Sequence, residues 1–282
     1  MGNDKWRDTI NPTTIIFQKF KLIQVLGYPH AGNDVFYVEG FYEGNKVKAY
    51  LKVERQIGAD IEREVSTILN LNYQFKPEVL EYSLKSPRFI LTKEAQGEKL
   101  SVILGDNEKL QSLAYLRKYG GRLAELHQIR GEFFPVKPRK FFNIPDEKFL
   151  KDCDLMSIKD YLQENQPKEI SKCFVHGDFH YANVLWKNHN ISCVLDYELS
   201  GIGNRDFDIA WAVILRPSQK FLKTNIEIEE FLKGYESISN LNRSNINYYM
   251  VLIYCYFYEI GLKSGNCSYC DYIRSFISSI VN

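Results

Sequence analysis

The sequence has no surplus of either charge: 36 Lys and Arg against 35 Asp and Glu leave a formal net charge of +1 over 282 residues. Composition therefore gives no electrostatic footprint for wholesale binding to nucleic acid or to an anionic membrane. A disulfide framework is also lacking. The 6 cysteines are scattered; Cys173 and Cys193 stand in apolar runs, as buried thiols do. Cys267 and Cys270 form a lone C-x-x-C with no second His or Cys pair to complete a zinc site. Met1 to Arg7 is polar and no apolar run follows, so no signal peptide is expected. The most apolar long stretch, Ile246 to Leu262, is broken by Asn247, Glu259 and several tyrosines, which suits a buried helix better than a membrane span. Internal repeats and low-complexity tracts are absent. With 45% hydrophobic and 25% charged residues, an ordered chain is expected over most of its length. The length suits two lobes better than one core, and a reducing cytoplasm is the expected setting.

The periodicity changes along the chain. From Phe17 to about Glu94 it is mainly that of strands: Phe20 to Gly27, Asp34 to Val38 and Val47 to Val53, with Glu43-Gly44-Asn45 as a hairpin turn, and later Pro87 to Thr92. Asp60 to Leu71 switches to helical spacing, with Ile61, Val65, Ile68 and Leu69 toward one face. After Gly97 the pattern is mainly helical. Leu110 to Gln128 reads as a long amphipathic helix, Gly131 to Pro145 as a loop, and helices run from Glu227 to the end. Cys173 to Val175 and Cys193 to Leu195 read as short strands flanking a loop. The expectation is an α+β chain of two lobes: residues 1–95 with a mixed sheet and one helix, and residues 96–282 mostly helical with a small β-hairpin. The boundary falls at Lys93 to Gly97.

That loop carries the chemistry. His176-Gly177-Asp178 followed by Asn183 has the spacing H-x-D-x-x-x-x-N, and Asp196 leaves an apolar strand thirteen residues later. Phosphoryl transfer needs a carboxylate to orient a hydroxyl, oxygen ligands for Mg²⁺ and cations or amides for phosphates. Asp178 is the candidate base, and Asn183 and Asp196 are the candidate metal ligands, both offering the hard oxygen donors Mg²⁺ prefers. Upstream, Lys52 on the strand Ala49 to Val53 is the candidate phosphate-holding cation. Glu64 is its candidate partner: it lies next to the core face of the helix, whereas Glu62 projects away from it.

These motifs resemble the aminoglycoside phosphotransferase and choline kinase group, small-molecule relatives of protein kinases. The resemblance runs from about Phe20 to Trp211 and rests on His176-Gly177-Asp178 with Asn183, on Leu195-Asp196-Tyr197-Glu198 and on Arg205 to Ala210. It implies a two-lobed protein-kinase-like fold, ATP and Mg²⁺ as cofactors, and a small-molecule acceptor, with no nucleic-acid or membrane partner. It implies Lys93 and Ala95 as backbone groups that meet adenine, Tyr50 as an aromatic beside it, and His176 as a brace of the loop. The chain departs from the group's patterns in places. Gly27 to Asp34 has no G-x-G-x-x-G. Tyr197-Glu198 replaces the Phe-Gly of protein kinases, and choline kinases usually carry Asn where Gly177 stands. An aminoglycoside-type or similar polyhydroxylated acceptor is expected; choline, ethanolamine or a sugar is the alternative, and a non-catalytic nucleotide-binding pseudokinase is the third reading.

Several residues also have ordinary structural readings. Asp208 is expected to cap or anchor a helix starting near Ile209. His127 reads as a core or interface histidine, and His180 as facing substrate or solvent. The Tyr248 to Tyr258 run suits helix packing or, alternatively, an aromatic cage for a quaternary ammonium. Glu259, Asp154 and Glu198 are candidate carboxylates for the acceptor's ammonium groups.

Overall fold

The computed structural model describes residues 10–29, 33–55 and 60–281. Met1 to Arg7 and residues 30–32 of the glycine-poor loop, both read above from sequence, lie outside the described residues. Strands β1 (Phe20–Gly27), β2 (Asp34–Tyr42) and β3 (Asn45–Val53) come first along the chain. Glu43 and Gly44 take φ of 50° and 79°, the positive values a two-residue hairpin turn needs to match strand twist. β2 and β3 consequently pair without a slip, from Asp34 opposite Val53 to Tyr42 opposite Asn45. Helix α1 (Ile61–Asn70) is capped by the Asp60 carboxylate, which accepts from the Arg63 N–H, a contribution of about 1 kcal/mol.

β4 (Val79–Ser83) and β5 (Phe89–Lys93) complete a five-stranded sheet in the order β1-β2-β3-β5-β4. All of its pairings are antiparallel, which corrects the expected mixed sheet. The crossover through α1 does make β3 and β4 run the same way, but β5 inserts between them. β4 itself is a strand that the sequence reading passes over.

The chain then forms β6 (Glu98–Lys99), α2 (Leu100–Leu104), α3 (Leu113–His127), α4 (Glu147–Asp152) and α5 (Lys159–Glu164). β7 (Lys172–Val175), β8 (Val184–Lys187), β9 (Asn190–Val194) and β10 (Gly201–Asn204) surround the motif from His176 to Asn183. The strands before and after that motif do not pair with each other. β7 pairs with β10, and the hairpin is β8–β9, turning at Asn188 and His189 with φ of 51° and 58°. Helices α6 (Arg205–Val213), α7 (Asn225–Glu236), α8 (Arg243–Lys263) and α9 (Cys267–Val281) follow. α6 begins at Arg205, not near Ile209, because the Asn204 side chain caps it by accepting from the Asp206 and Phe207 amides.

Two apolar clusters hold these elements. Phe36, Val38, Leu51 and Leu91 centre the smaller one, on the sheet. The larger one gathers α3, α6, α7 and α8 around Tyr119, Trp186, Phe231 and Tyr254, and it also takes in Ile61, Val65 and Ile68 of α1. α1 is thus anchored in the core of the helical half while its other neighbours belong to the sheet. α3 and α7 cross closely at glycines: a Cβ on Gly120 would lie 1.9 Å from the Phe231 carbonyl oxygen. The tyrosines of α8 are buried packing groups; Tyr254 accepts the Leu215 N–H and Tyr256 donates to the Asn143 carbonyl. Among the described residues no helix is long and apolar enough to cross a membrane.

Candidate active site

β3 and α1 bring Lys52 and Glu64 together, and the end of β9 delivers Asp196. Lys52 Nζ lies 2.8 Å from Glu64, 3.0 Å from Asp196 and 2.8 Å from Glu198. Glu64 rather than Glu62 makes this contact because it is buried, whereas Glu62 is exposed beside Arg88 at 3.9 Å. Burial pushes Lys52 toward deprotonation, but the three carboxylates outweigh it and raise its pKa, so the ammonium persists. Burial raises Glu64, and Lys52 only partly offsets that. One ammonium against three carboxylates leaves the cluster with two negative charges, a deficit that one divalent cation would neutralise. Asp196 adopts φ 63°, the left-handed region that few residues without a glycine's freedom occupy, and this turns the chain out of β9 into the cluster.

Glu198 also belongs to this cluster. Its carboxylate also accepts from Asn33 Nδ2 at 2.8 Å and from the Asp60 amide at 3.3 Å. The other two acceptor candidates are also paired with cations. Glu259 pairs with Lys140 and Lys263 at 3.0 and 2.7 Å. Asp154 is exposed and pairs with Arg274 at 3.0 Å. Sequence position alone could not show that each had a cation nearer to it.

The loop from His176 to Asn183 is held from beneath. Asp208 accepts the His176 and Gly177 amides at 3.0 and 2.9 Å, and His127 Nε2 lies 3.1 Å away. It therefore anchors the loop rather than capping a helix, since Asn204 already serves as the cap. His127 is satisfied at both ring nitrogens, with the Tyr235 hydroxyl at 2.8 Å from Nδ1. Gly177 has φ 78°, and a Cβ there would lie 2.2 Å from the Leu199 carbonyl oxygen. The Asn of choline kinases would not fit this backbone.

His176 is fully buried. Its Nε2–H donates to the Leu195 carbonyl at 2.9 Å, and its Nδ1 accepts the Asp178 amide at 3.3 Å. These bonds suit only the neutral ring, and burial accordingly lowers its pKa below the ordinary 6.5. The ring ties the Asp178 loop to the strand that carries Asp196. A histidine neutral in the fold but protonated when unfolded contributes stability above pH 6.5 that is lost as pH falls below that value. The urea midpoints of the native chain and of His176→Gln should therefore converge as pH drops from 7 to 5. Parallel curves would show that the ring does not titrate on unfolding.

Asp178 accepts the Trp211 indole N–H at 2.8 Å and Asn183 Nδ2 at 3.2 Å, with His180 Nε2 at 3.4 Å. Asn183 Nδ2 also donates to the Asp178 carbonyl at 3.0 Å, and its backbone carbonyl accepts the Leu195 amide at 2.7 Å. With its amide nitrogen committed, Asn183 leaves Oδ1 without a hydrogen-bond partner among the described residues. Asn183, Asp196, Lys52 and Glu64 line one side of a cavity of about 430 Å³. Its other side is formed by Tyr50, Lys93 and Ala95. Tyr50 stacks on Tyr37 at 5.0 Å. The Lys93 and Glu94 amides are consumed by the Glu78 and Lys48 carbonyls, both at 2.9 Å; the Ala95 N–H, the first past the ladder, has no acceptor among the described residues. Chemically, the cavity offers bare backbone groups at one end and oxygen ligands with a buried ammonium at the other. Arg139, Trp211 and Arg216 around Asp178 were not singled out from sequence. The only available signal was that Trp211 follows the Asp208 motif at helical spacing.

Comparison of the sequence with curated proteins finds no match. Among solved structures, a thermostable mutant of aminoglycoside phosphotransferase APH(4)-Ia has a TM-score of 0.59 at 16% identity, over 92% of this chain and 94% of its own. Spectinomycin phosphotransferase APH(9)-Ia has a TM-score of 0.56 at 14% identity, over 99% and 95%. A choline/ethanolamine kinase family protein from Mesorhizobium loti has a TM-score of 0.55 at 16% identity, over 92% and 86%. These likenesses establish the two-lobed kinase-like fold. The Phosphotransferase enzyme family matches residues 32–239, which is most of the chain, and the protein belongs to that family.

Proposed function

We propose that the protein transfers the γ-phosphate of ATP, taken as its Mg²⁺ complex, to a hydroxyl of a small molecule in a cleft between a lobe of residues 1–95 and one of residues 96–282. The observation that carries this reading is the joining of Lys52, Glu64 and Asp196 with Asn183 along one cavity, next to a loop that holds Asp178 ionised. Adenine would lie against Tyr50 and bond the Lys93 carbonyl and Ala95 amide. Lys52 would hold the phosphates. Asp196 and the partnerless Oδ1 of Asn183 would hold Mg²⁺, an all-oxygen donor set suited to a hard cation. Bound there, the ion would offset the charge of the transferring phosphoryl group. Asp178 would orient the acceptor hydroxyl and take its proton. His176 and Asp208 would keep the loop in place without touching either substrate.

Related structures hold nucleotide with hygromycin B or with spectinomycin, which makes an aminoglycoside-type compound one acceptor class. The choline/ethanolamine kinase relative makes a metabolite the other. The test is ATP-induced thermal stabilisation that requires Mg²⁺, followed by a coupled ADP-release screen over hydroxylated compounds. Stabilisation by ATP with or without the metal, and no ADP release for any acceptor, would contradict the proposal.

A further inference from the structure

Two guanidinium groups stand near Asp178, beside its Trp211 and Asn183 donors. The guanidinium carbons of Arg139 and Arg216 lie 4.3 and 5.1 Å from the ring centroid of Trp211, the residue bonded to the Asp178 carboxylate. Arg139 donates to the Gly177 carbonyl, and Arg216 to the Trp211 and Ile214 carbonyls at 2.9 and 3.4 Å. Neither guanidinium has a carboxylate at ion-pair distance among the described residues. Arg139 also borders a second cavity, of about 350 Å³, that abuts Gly177. Lys137 and Lys172 stand on its wall with the apolar faces of Phe142, Phe207 and Tyr248. Lys137 is paired with Asp60 at 2.8 Å, while Lys172 has no acidic partner among the described residues. Of the described residues lining the cavity, the sole carboxylate is Asp208, which is buried and already accepts the loop amides.

This charge pattern selects among acceptors. A polycation approaching Asp178 would meet like charge, and the carboxylates Glu259, Asp154 and Glu198 are each committed to another cation. A quaternary ammonium seeking the face of Trp211 would find Arg139 already there. An anion would instead meet guanidinium N–H groups with unused donor capacity, and charge-assisted hydrogen bonds are roughly twice as strong as neutral ones.

We propose that the acceptor is a hydroxy compound with an apolar body and a carboxylate or phosphate group, the anion held by Arg139 in the cavity beside the catalytic loop while the hydroxyl meets Asp178. This rests on the phosphotransferase reading and sets the charge of its acceptor. The hydroxyl oxygen bonds to the γ-phosphorus, the bond from that phosphorus to the β–γ bridging oxygen breaks, ADP leaves, and the hydroxyl proton passes to Asp178.

The test is calorimetry on the full chain with AMP-PNP and Mg²⁺, using 3-phenyllactate and phenyl phosphate as anionic probes and hygromycin B and spectinomycin as cationic ones. The anionic probes are expected to bind, and to weaken at least tenfold in Arg139→Gln and severalfold in Lys172→Gln, a substitution on the surface that keeps the fold. The stronger of the two probes identifies the anion as carboxylate or phosphate. Failure of both anionic probes at millimolar concentration, or binding indifferent to both substitutions, overturns the proposal whatever the antibiotics do. AMP-PNP and Mg²⁺ that fail to bind at all would instead overturn the phosphotransferase reading, and this proposal with it.

Discussion

Asp178→Asn is expected to lower kcat by about 10²- to 10⁴-fold, the usual worth of a positioned acid–base group, while ATP binding stays nearly unchanged. The substitution keeps the shape of the side chain and an oxygen for the Trp211 N–H, so the loss reads charge and proton acceptance, not packing. Burial by itself pushes the Asp178 carboxyl up. The hydrogen bond and charge of His180, the Arg216 guanidinium and the Trp211 N–H outweigh burial and bring its pKa down to about 2. It is therefore ionised at every ordinary assay pH. The acid limb of the rate profile should not belong to it, and its stabilising contribution fades only as pH falls from 3.8 toward 2. A base this weak accepts the proton late, which agrees with a loose transition state in which positioning matters more than proton abstraction. Steady-state kinetics beside ATP titration separates the two effects. Activity of the variant within tenfold of the native chain would remove Asp178 from the mechanism.

The local geometry of this site was more legible in the sequence than its surroundings. Spacing alone tied Asp178 to Asn183, because both sit on one short loop whose geometry is local. Helical phase chose Glu64 over Glu62, because a helix face is also a local property. The β2–β3 hairpin was legible from its Gly-containing turn. The pairing of β7 with β10 was not, since two short apolar strands carry no mark of their partner. β4 has only a few apolar positions and reads weakly for the same reason. The partners of the candidate acceptor carboxylates were illegible for a different reason. Glu198, Asp154 and Glu259 were read as candidates for an acceptor's ammonium groups, and each lies close to a cation distant in sequence: Lys52, Arg274 and Lys140. Asp208 was assigned to a helix terminus because its bonds run to loop amides about thirty residues earlier. Long-range partners, cations for the three candidates and loop amides for Asp208, surround all four positions, and a single sequence does not contain them.

Lys52→Met is expected to produce the other large effect, and it separates stability from catalysis. Losing the phosphate-holding cation should cut kcat/KM by roughly 10²- to 10³-fold, the cost of removing one preorganised charge-stabilising donor. The fold should suffer as well. Stripping one partner from a buried ion pair costs roughly 3–5 kcal/mol; here that is an upper bound, because the Asp196 side chain is 39% exposed and solvent screens it. The variant leaves Glu64, Asp196 and Glu198 with ligand oxygens within 4.8 Å of one another and no ammonium between them. Two rescues follow. Mg²⁺ alone, without nucleotide, should raise the melting temperature of Lys52→Met more than that of the native chain, since a cation that binds only the folded form stabilises it by mass action. Acid should help too: burial already raises the pKa of Glu64 and Lys52 is its main opposing charge, so removing Lys52 raises it further. A carboxyl whose folded pKa exceeds its unfolded value gains stability as pH falls toward the ordinary 4.5. The variant should therefore regain stability relative to the native chain between neutral pH and that value. Melting curves over pH, with and without Mg²⁺, check both. A variant that is destabilised but answers to neither cation nor acid would show that Lys52 acts by packing and that the three carboxylates do not share one electrostatic site.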